Sequence, residues 1–370
     1  MKVRASASVI LSLLIASGAA ADAQIQAGGE YRVVERIVRD EMHKQNIPGL
    51  AITMLRDGKI VHQLALGMAN LEHKVPVATE TAFSIGSLSK QFIASAIMLL
   101  EQEGSIDLDA KISRYLSDVP DAWSMITVRH LLTHTSGLVR EGPAFRPEVR
   151  QPDIEVIRSA YQLPLRFAPG EKFEYCNLGY FILVEIISRV SGMTWPEFFQ
   201  ARIFHPLEMN ATRVTSVTDL IPHRSGGYQW REHRFENVVP FLALRPSGAF
   251  VSTATDLAKW EQTLTKPGLL TKKSLDLMWT RFRLNSGESV PYGFGWRLNS
   301  VGGQLEIGHG GSLPGFRAYY ARYPEKHLSI IILTNSGDAE PRAIARAVAA
   351  AVIPQTLSSA ADQTSSFGAQ

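Results

Sequence analysis

The chain has 370 residues, carries 38 basic against 35 acidic side chains for a formal charge of +3, and is 45% hydrophobic. A charge this close to neutral, without a long basic tract, excludes an electrostatically driven nucleic-acid binder. The lone cysteine, Cys176, excludes an internal disulfide, so the fold must rest on its core, and the length permits one large domain or two smaller ones.

Lys2 and Arg4, an apolar run from Ala7 to Ala16 and small residues up to Ala23 form the pattern of a secretory signal peptide over residues 1–23. The protein is therefore expected to be exported, periplasmic or secreted. The apolar run is shorter than the ~20 residues a spanning helix needs, so no stable membrane anchor is expected after cleavage. Next, Tyr31 to Asn46 reads as an amphipathic helix with Val34, Ile37, Val38 and Met42 on one stripe. Leu50–Leu55 and Ile60–Gly67 read as strands, joined through Arg56-Asp57-Gly58-Lys59 as a hairpin.

The stretch Ser84–Glu103 reads as a buried helix with Ser84 as its N-cap and Gly104 as its stop. Ser87 and Lys90 then share the first turn, with β-carbons roughly 5–6 Å apart. A serine hydroxyl becomes a nucleophile only when an adjacent base takes its proton, and a lysine can serve as that base. Unpaired amides at a helix start, that of Ser87 among them, could hold an oxyanion. Taken alone, this spacing fits a capped helix with a solvated lysine equally well.

From Thr81 to about Leu284 the pattern is mostly helical, broken by Pro and Gly loops. Within it, Phe167–Asn177 reads as a turn and a short extended stretch that points Tyr175 and Asn177 the same way, followed by a helix from Gly179 to Val190. Near the C-terminus, Phe294–Leu298, Ala318–Tyr323 and Leu328–Thr334 are candidate strands, and Glu340–Val352 is a candidate helix. Between the first two strands, Gly308, Gly310, Gly311 and Gly315 crowd around His309 and Ser312, as a loop, a bulge or a place where backbone must be approached closely. The tail 358–370 is Ser-, Ala- and Gln-rich and is expected to be disordered. Strands too few at either end to bury a sheet alone predict an α+β (α/β sandwich) architecture. Its antiparallel sheet is built from both chain ends (31–80 and 290–353), with flanking helices and a mostly helical inserted region, 81–289. Together these make a catalytic domain over 24–357, with a cleft at the junction.

Ser87-Leu88-Ser89-Lys90, Tyr175-Cys176-Asn177 and His309-Gly310-Gly311, in that order, resemble the three motifs of the serine β-lactamase and penicillin-binding protein superfamily. The Tyr-x-Asn second motif is similar to the branch of class C β-lactamases, D,D-peptidases and family VIII esterases. Leu131–Leu138, Gly226-Gly227-Tyr228, Ser252–Ala258 and Gly293-Phe294-Gly295-Trp296 are also similar to stretches of this family, which places the resemblance over roughly 31–353. It implies the β-lactamase/transpeptidase-like fold and an acyl-enzyme on Ser87, with Lys90 and Tyr175 as coupled acid and base. It further implies substrate binding by Asn177, His309 and Gly311, an oxyanion hole of the Ser87 and Ser312 amides, and no metal or cofactor.

The third motif departs from the Lys-Thr-Gly of many β-lactamases, since His309 is mostly neutral near pH 7 and Gly310 has no hydroxyl. The expectation is a weakened carboxylate site and a preference for uncharged esters or small amides, with β-lactams and short D-amino-acid peptides still open as substrates. A non-catalytic penicillin- or peptide-binding or sensor protein on the same fold is the alternative. His130 and His134 stand at helical spacing, but no accompanying Glu pattern marks a metal site, and they read as structural. Cys176 reads as a small packed residue, and Tyr228, Trp230, Arg231, His233 and Arg234 as candidate cleft-border contacts.

Overall fold

The computed structural model describes residues 29–242, 246–266 and 268–353. The expected signal segment 1–23 and the tail 358–370 lie outside the described residues. Helix α1 (residues 29–44) leads into the hairpin of β1 (Gly49–Arg56) and β2 (Lys59–Asn70). Asp57 and Gly58, both at positive φ (51° and 72°), form its turn, the geometry that matches strand twist. After the short β3 (Val75–Pro76) and β4 (Phe83–Ser84), the chain enters helix α2 (Ser89–Gln102).

The inserted region continues with α3 (Val128–Leu132), α4 (Asp153–Ser159), α5 (Leu178–Ser191) and α6 (Trp195–Phe199). It also holds the short strands β5 (Arg213–Val214), β6 (Tyr228–Arg231), β7 (Arg234–Asn237) and β8 (Phe250–Ser252), then α7 (Ala254–Thr265) and α8 (Lys272–Met278). The chain returns as β9 (Arg297–Val301), β10 (Gln304–Leu313), β11 (Phe316–Tyr323) and β12 (Leu328–Thr334), and closes with α9 (Pro341–Val352).

The principal sheet has the order β3-β2-β1-β12-β11-β10-β9, so the first and last long strands are neighbours, paired antiparallel with Ile52 opposite Ile332. Alternation divides β12 between two cores. Ile330 and Ile332 pack with Val34 and Val38 of α1 and Ile344 and Val348 of α9, while Ile331 and Leu333 face the helical side with Phe92 and Leu257. Burial on both faces explains the unbroken apolar run Ile330–Leu333 in β12. On the helical side, Phe92 of α2 meets Phe204, Phe250 and Trp260 at ring distances of 5.3, 5.9 and 4.7 Å. Helix α2 is thereby clamped in the centre of the molecule.

Two sequence expectations, the Ser84 cap and the strand start at Phe294, are corrected. Ser84 does not cap a helix; it pairs with Val251, and Gly86 at φ +53° breaks any helical path back to it. Residues Gly86–Leu88 form a 3-10 turn, and α2 starts at Ser89 without a side-chain cap. Of the readings left open for the glycine-rich stretch, close backbone approach is the one found. Its first three glycines lie in β10, where Gly308 and Gly311 lie against other backbone: a β-carbon on Gly308 would stand 2.7 Å from the Tyr320 carbonyl oxygen. The strand expected from Phe294 begins instead at Arg297.

Candidate active site

Ser87 sits in the 3-10 turn, half-buried, while Lys90 in the first turn of α2 is wholly buried. The turn and the helix start thus bring the two side chains together much as a single helix would. Lys90 Nζ lies 3.1 Å from Ser87 Oγ, 2.8 Å from Asn177 Oδ1 and 3.1 Å from the Ser247 carbonyl oxygen. Two of these three oxygens can only accept. A neutral amine would give its two N–H groups to Asn177 and Ser247 and leave its lone pair facing Ser87, which is the geometry a base requires. An ammonium would instead donate to all three.

Asn177 and Tyr175 arrive just before α5. Asn177 is buried at the helix start, and its amide nitrogen donates to Glu141 Oε1 at 2.5 Å. Tyr175 is partly buried, and its hydroxyl shares a hydrogen bond with Ser87. Burial pushes the phenol up to about 12, outweighing the Ser87 hydrogen bond and the nearby Arg297 and Arg140 charges, so Tyr175 holds its proton at neutral pH.

Three basic side chains surround that ring: Lys90 Nζ at 4.8 Å and the guanidinium carbons of Arg297 and Arg140 at 5.6 and 5.7 Å from its centroid. Neither arginine has an ion-pair partner among the described residues. Behind the ring, His134 lies tilted against it at 4.3 Å between centroids and accepts the Cys176 amide proton at Nδ1, 3.1 Å away, while its own carbonyl accepts from the Glu174 amide. Desolvation, and then the Lys90 charge, hold His134 well below the usual histidine range. Its proton therefore sits on Nε2, packed among aromatic rings without a hydrogen-bond partner among the described residues. Burial likewise pushes the Cys176 thiol up to about 12, and Cys176 Sγ donates to the Val139 carbonyl; this is a packed thiol, not a nucleophile.

The third motif reaches the site through the edge of β10. Strand β9 stops pairing with β10 at Gly308, opposite Arg297, so residues 309–313 have one side free for the nucleophile turn. There, a β-carbon on Gly311 would stand 2.0 Å from the Ile85 carbonyl oxygen, and one on Gly86 would stand 2.5 Å from the Ser312 amide nitrogen. Glycine at both positions lets the Ser312 amide come against the Gly86–Ser87 backbone, the arrangement a two-amide oxyanion site needs.

His309 is buried, and both its ring nitrogens are engaged within the protein. The Gly310 carbonyl, 2.7 Å away, can only accept, so Nδ1 carries the proton and Nε2 accepts from the Tyr292 hydroxyl at 3.0 Å. Desolvation, then Arg297 and Lys90, keep this ring neutral. The residue expected to touch substrate thus has no side-chain N–H left to offer it.

Other sequence candidates lie elsewhere. The Tyr228 hydroxyl accepts from the Leu71 amide, Trp230 packs on Phe235 within the β6–β7 hairpin, and His130 Nδ1 accepts the Thr127 amide in a capping box. Sequence reasoning missed Glu141, Ser247, Arg140 and Arg297. Only their polarity was visible, and they meet the site through contacts distant in sequence.

A family model described as Beta-lactamase matches residues 34–354. A penicillin-binding protein of Bacillus subtilis is 32% identical over 300 residues, 75% of this chain and 66% of its own. A D-aminopeptidase of Brucella ovis is 28% identical over 323 residues, 83% of this chain and 60% of its own. The chain thus spans under two thirds of the length of these curated relatives. Among solved structures, an octameric penicillin-binding protein homologue from Pyrococcus abyssi superposes with a TM-score of 0.75 at 28% identity, covering 86% of this chain and 77% of that one.

Proposed function

Because the chain belongs to the beta-lactamase family, whose model spans most of its length, we propose that it is a serine hydrolase turning over ester or amide substrates through an acyl-enzyme on Ser87. The observation that carries this reading is the Lys90 amine 3.1 Å from Ser87 Oγ, with two obligate acceptors fixing its other donors. Lys90 takes the Ser87 proton as Oγ bonds to the substrate carbonyl carbon. The resulting oxyanion rests on the Ser87 and Ser312 amides. The protonated Tyr175 phenol then gives its proton to the leaving alkoxide or amine and recovers one from Lys90, which restores the resting site. Water attacks the ester in the second half by the same path reversed, releasing the acid and Ser87. Export to the periplasm or beyond is part of the reading and rests on the N-terminal residue pattern.

A second reading concerns substrate charge. Loss of the motif lysine argued for uncharged esters, yet Arg140 and Arg297 place two guanidinium groups at Tyr175. They favour an amide or short peptide substrate with a carboxylate near the scissile bond.

Intact-protein mass spectrometry of wild type and Ser87→Ala, with p-nitrophenyl butyrate and separately with a penicillin, tests the proposal. A Ser87-dependent adduct or turnover supports it. Neither reagent reacting would favour a non-catalytic binding protein.

A further inference from the structure

The mechanism above leaves unexplained what holds Asn177 in its working orientation. A side-chain amide has two nearly isosteric ends, and at this site they are not equivalent: Oδ1 must face Lys90, which is a donor in either protonation state. Asn177 stands at the start of α5 with helical φ and ψ (−75°, −35°), and its side chain does not cap that helix. Instead Nδ2 donates to Glu141 Oε1 at 2.5 Å, a charge-assisted bond across 36 residues of sequence.

The carboxylate is itself anchored to the segment it serves. The neighbouring Arg140 carbonyl accepts both the Asn177 and the Leu178 amides, at 2.9 and 3.1 Å, and the Val139 carbonyl accepts from Cys176 Sγ at 3.2 Å. Turning the amide over would set Nδ2 against the Lys90 donors and Oδ1 against the Glu141 carboxylate, two repulsive contacts in place of two attractive ones. With the amide locked, one Nδ2 proton remains for a substrate carbonyl.

We propose that Glu141 is a positioning residue for acylation, acting through the Asn177 amide to hold Oδ1 on Lys90. The role rests on the serine-hydrolase reading, and the test separates the two. Wild type, Glu141→Gln, Glu141→Ala, Asn177→Ala and the Glu141→Ala/Asn177→Ala double variant are labelled with a fluorophosphonate probe, and kcat and KM are measured with p-nitrophenyl acetate. Thermal melts check that each variant folds.

Wild-type labelling at Ser87 decides the hydrolase reading, and its absence would overturn both. Given labelling, Glu141→Ala is expected to slow acylation about 100-fold, the scale of a misplaced reacting group, with the loss in kcat rather than KM. Glu141→Gln keeps an oxygen that can accept from Nδ2 and should recover most of the rate. In the Asn177→Ala background, Glu141→Ala should add less than about 3-fold, because coupled residues are non-additive. Independent, multiplying effects would overturn the proposal while leaving the hydrolase reading intact. So would a Glu141→Ala loss confined to KM for p-nitrophenyl acetate with kcat unchanged, which would make Glu141 a substrate contact instead.

Discussion

Gly311 stands so near Ile85 that a β-carbon added to it would lie 2.0 Å from the Ile85 carbonyl oxygen. The strand bearing the third motif and the turn bearing Ser87 are therefore in direct backbone contact. Gly311→Ala must separate them and take the Ser312 amide out of line. Ester hydrolysis is expected to fall about 100- to 1,000-fold, as when one oxyanion donor is lost, with the circular dichroism spectrum unchanged. Gly310→Ala is the control: its β-carbon meets Tyr319 at an ordinary 3.7 Å, and most of the activity should survive.

His134 adopts φ +59°, a region that asparagine tolerates and alanine does not, and its Nδ1 accepts the Cys176 amide. His134→Ala loses the acceptor and takes on backbone strain, and should cost about 2–3 kcal/mol in urea unfolding as well as much of kcat. His134→Asn offers an oxygen in place of Nδ1 and should recover the larger part of both. Equal damage from the two variants would mean that ring volume alone matters.

Acid stability follows from His134 and His309, both held below the ordinary histidine value chiefly by desolvation. In the unfolded chain each protonates near pH 6.5, and in the fold only at lower pH, so the unfolded state binds more protons over the interval between. Stability is whole above that range and declines as pH falls from about 6.5, by up to about 1.4 kcal/mol per pH unit for each group. Urea midpoints between pH 8 and 5 measure the slope, and His309→Gln should reduce it.

Asp153 has the opposite sign. Partial burial raises its carboxyl to about 6, although Trp195 Nε1 donates to it at 2.8 Å. The neutral form suits the fold, so this group lowers stability as pH rises from about 4 through 6. Its place in the first turn of α4 favours the anion, but by only about 0.3–1 kcal/mol, less than the desolvation it opposes. Asp153→Asn should therefore raise the melting temperature by a few degrees at pH 7.5 and lose that advantage at pH 4. No gain at pH 7.5 would show that the helix start outweighs burial.

Arg140 and Arg297 make substrate charge a direct test. If they receive a carboxylate, Arg297→Ala should lower kcat/KM for a carboxylate-bearing ester by about 10- to 100-fold, the value of a charged hydrogen bond, and change a neutral ester of equal size little. Equal losses on both esters would assign Arg297 to the Tyr175 environment alone.

The long elements were legible in the sequence because their apolar periodicity is local: the N-terminal helix, the Asp57-Gly58 hairpin, α5 and α9 fall close to where the pattern puts them. The order of chemistry along the chain was legible too, since Ser87, Lys90, Tyr175 and Asn177 are named by what each side chain can do. What misled was glycine. Gly86 sits in a helix-like pattern but takes a left-handed conformation, and for the glycines of β10 a loop, a bulge and a close approach stayed open because their reason is a contact with backbone far away in sequence. Glu141, Ser247, Arg140 and Arg297 had no local signature, for their partners lie on other elements. Arg140 and Glu141 follow the Leu131–Leu138 stretch by two and three residues and Arg297 directly follows Trp296, yet nothing in those stretches marks them.

The pairing of β1 with β12 fixes the order in which the protein can be completed. Ser87 and Lys90 leave the ribosome early, but the Ser312 amide and the strand that seats Thr334 opposite Leu50 come more than two hundred residues later. A nascent or truncated chain carries the proposed nucleophile without its partner amide or a closed sheet, and long-range pairing of this kind is slow to form. Activity should switch on only once the far end of the chain has docked, so a fragment ending before β10 would be inert toward esters wherever it is released.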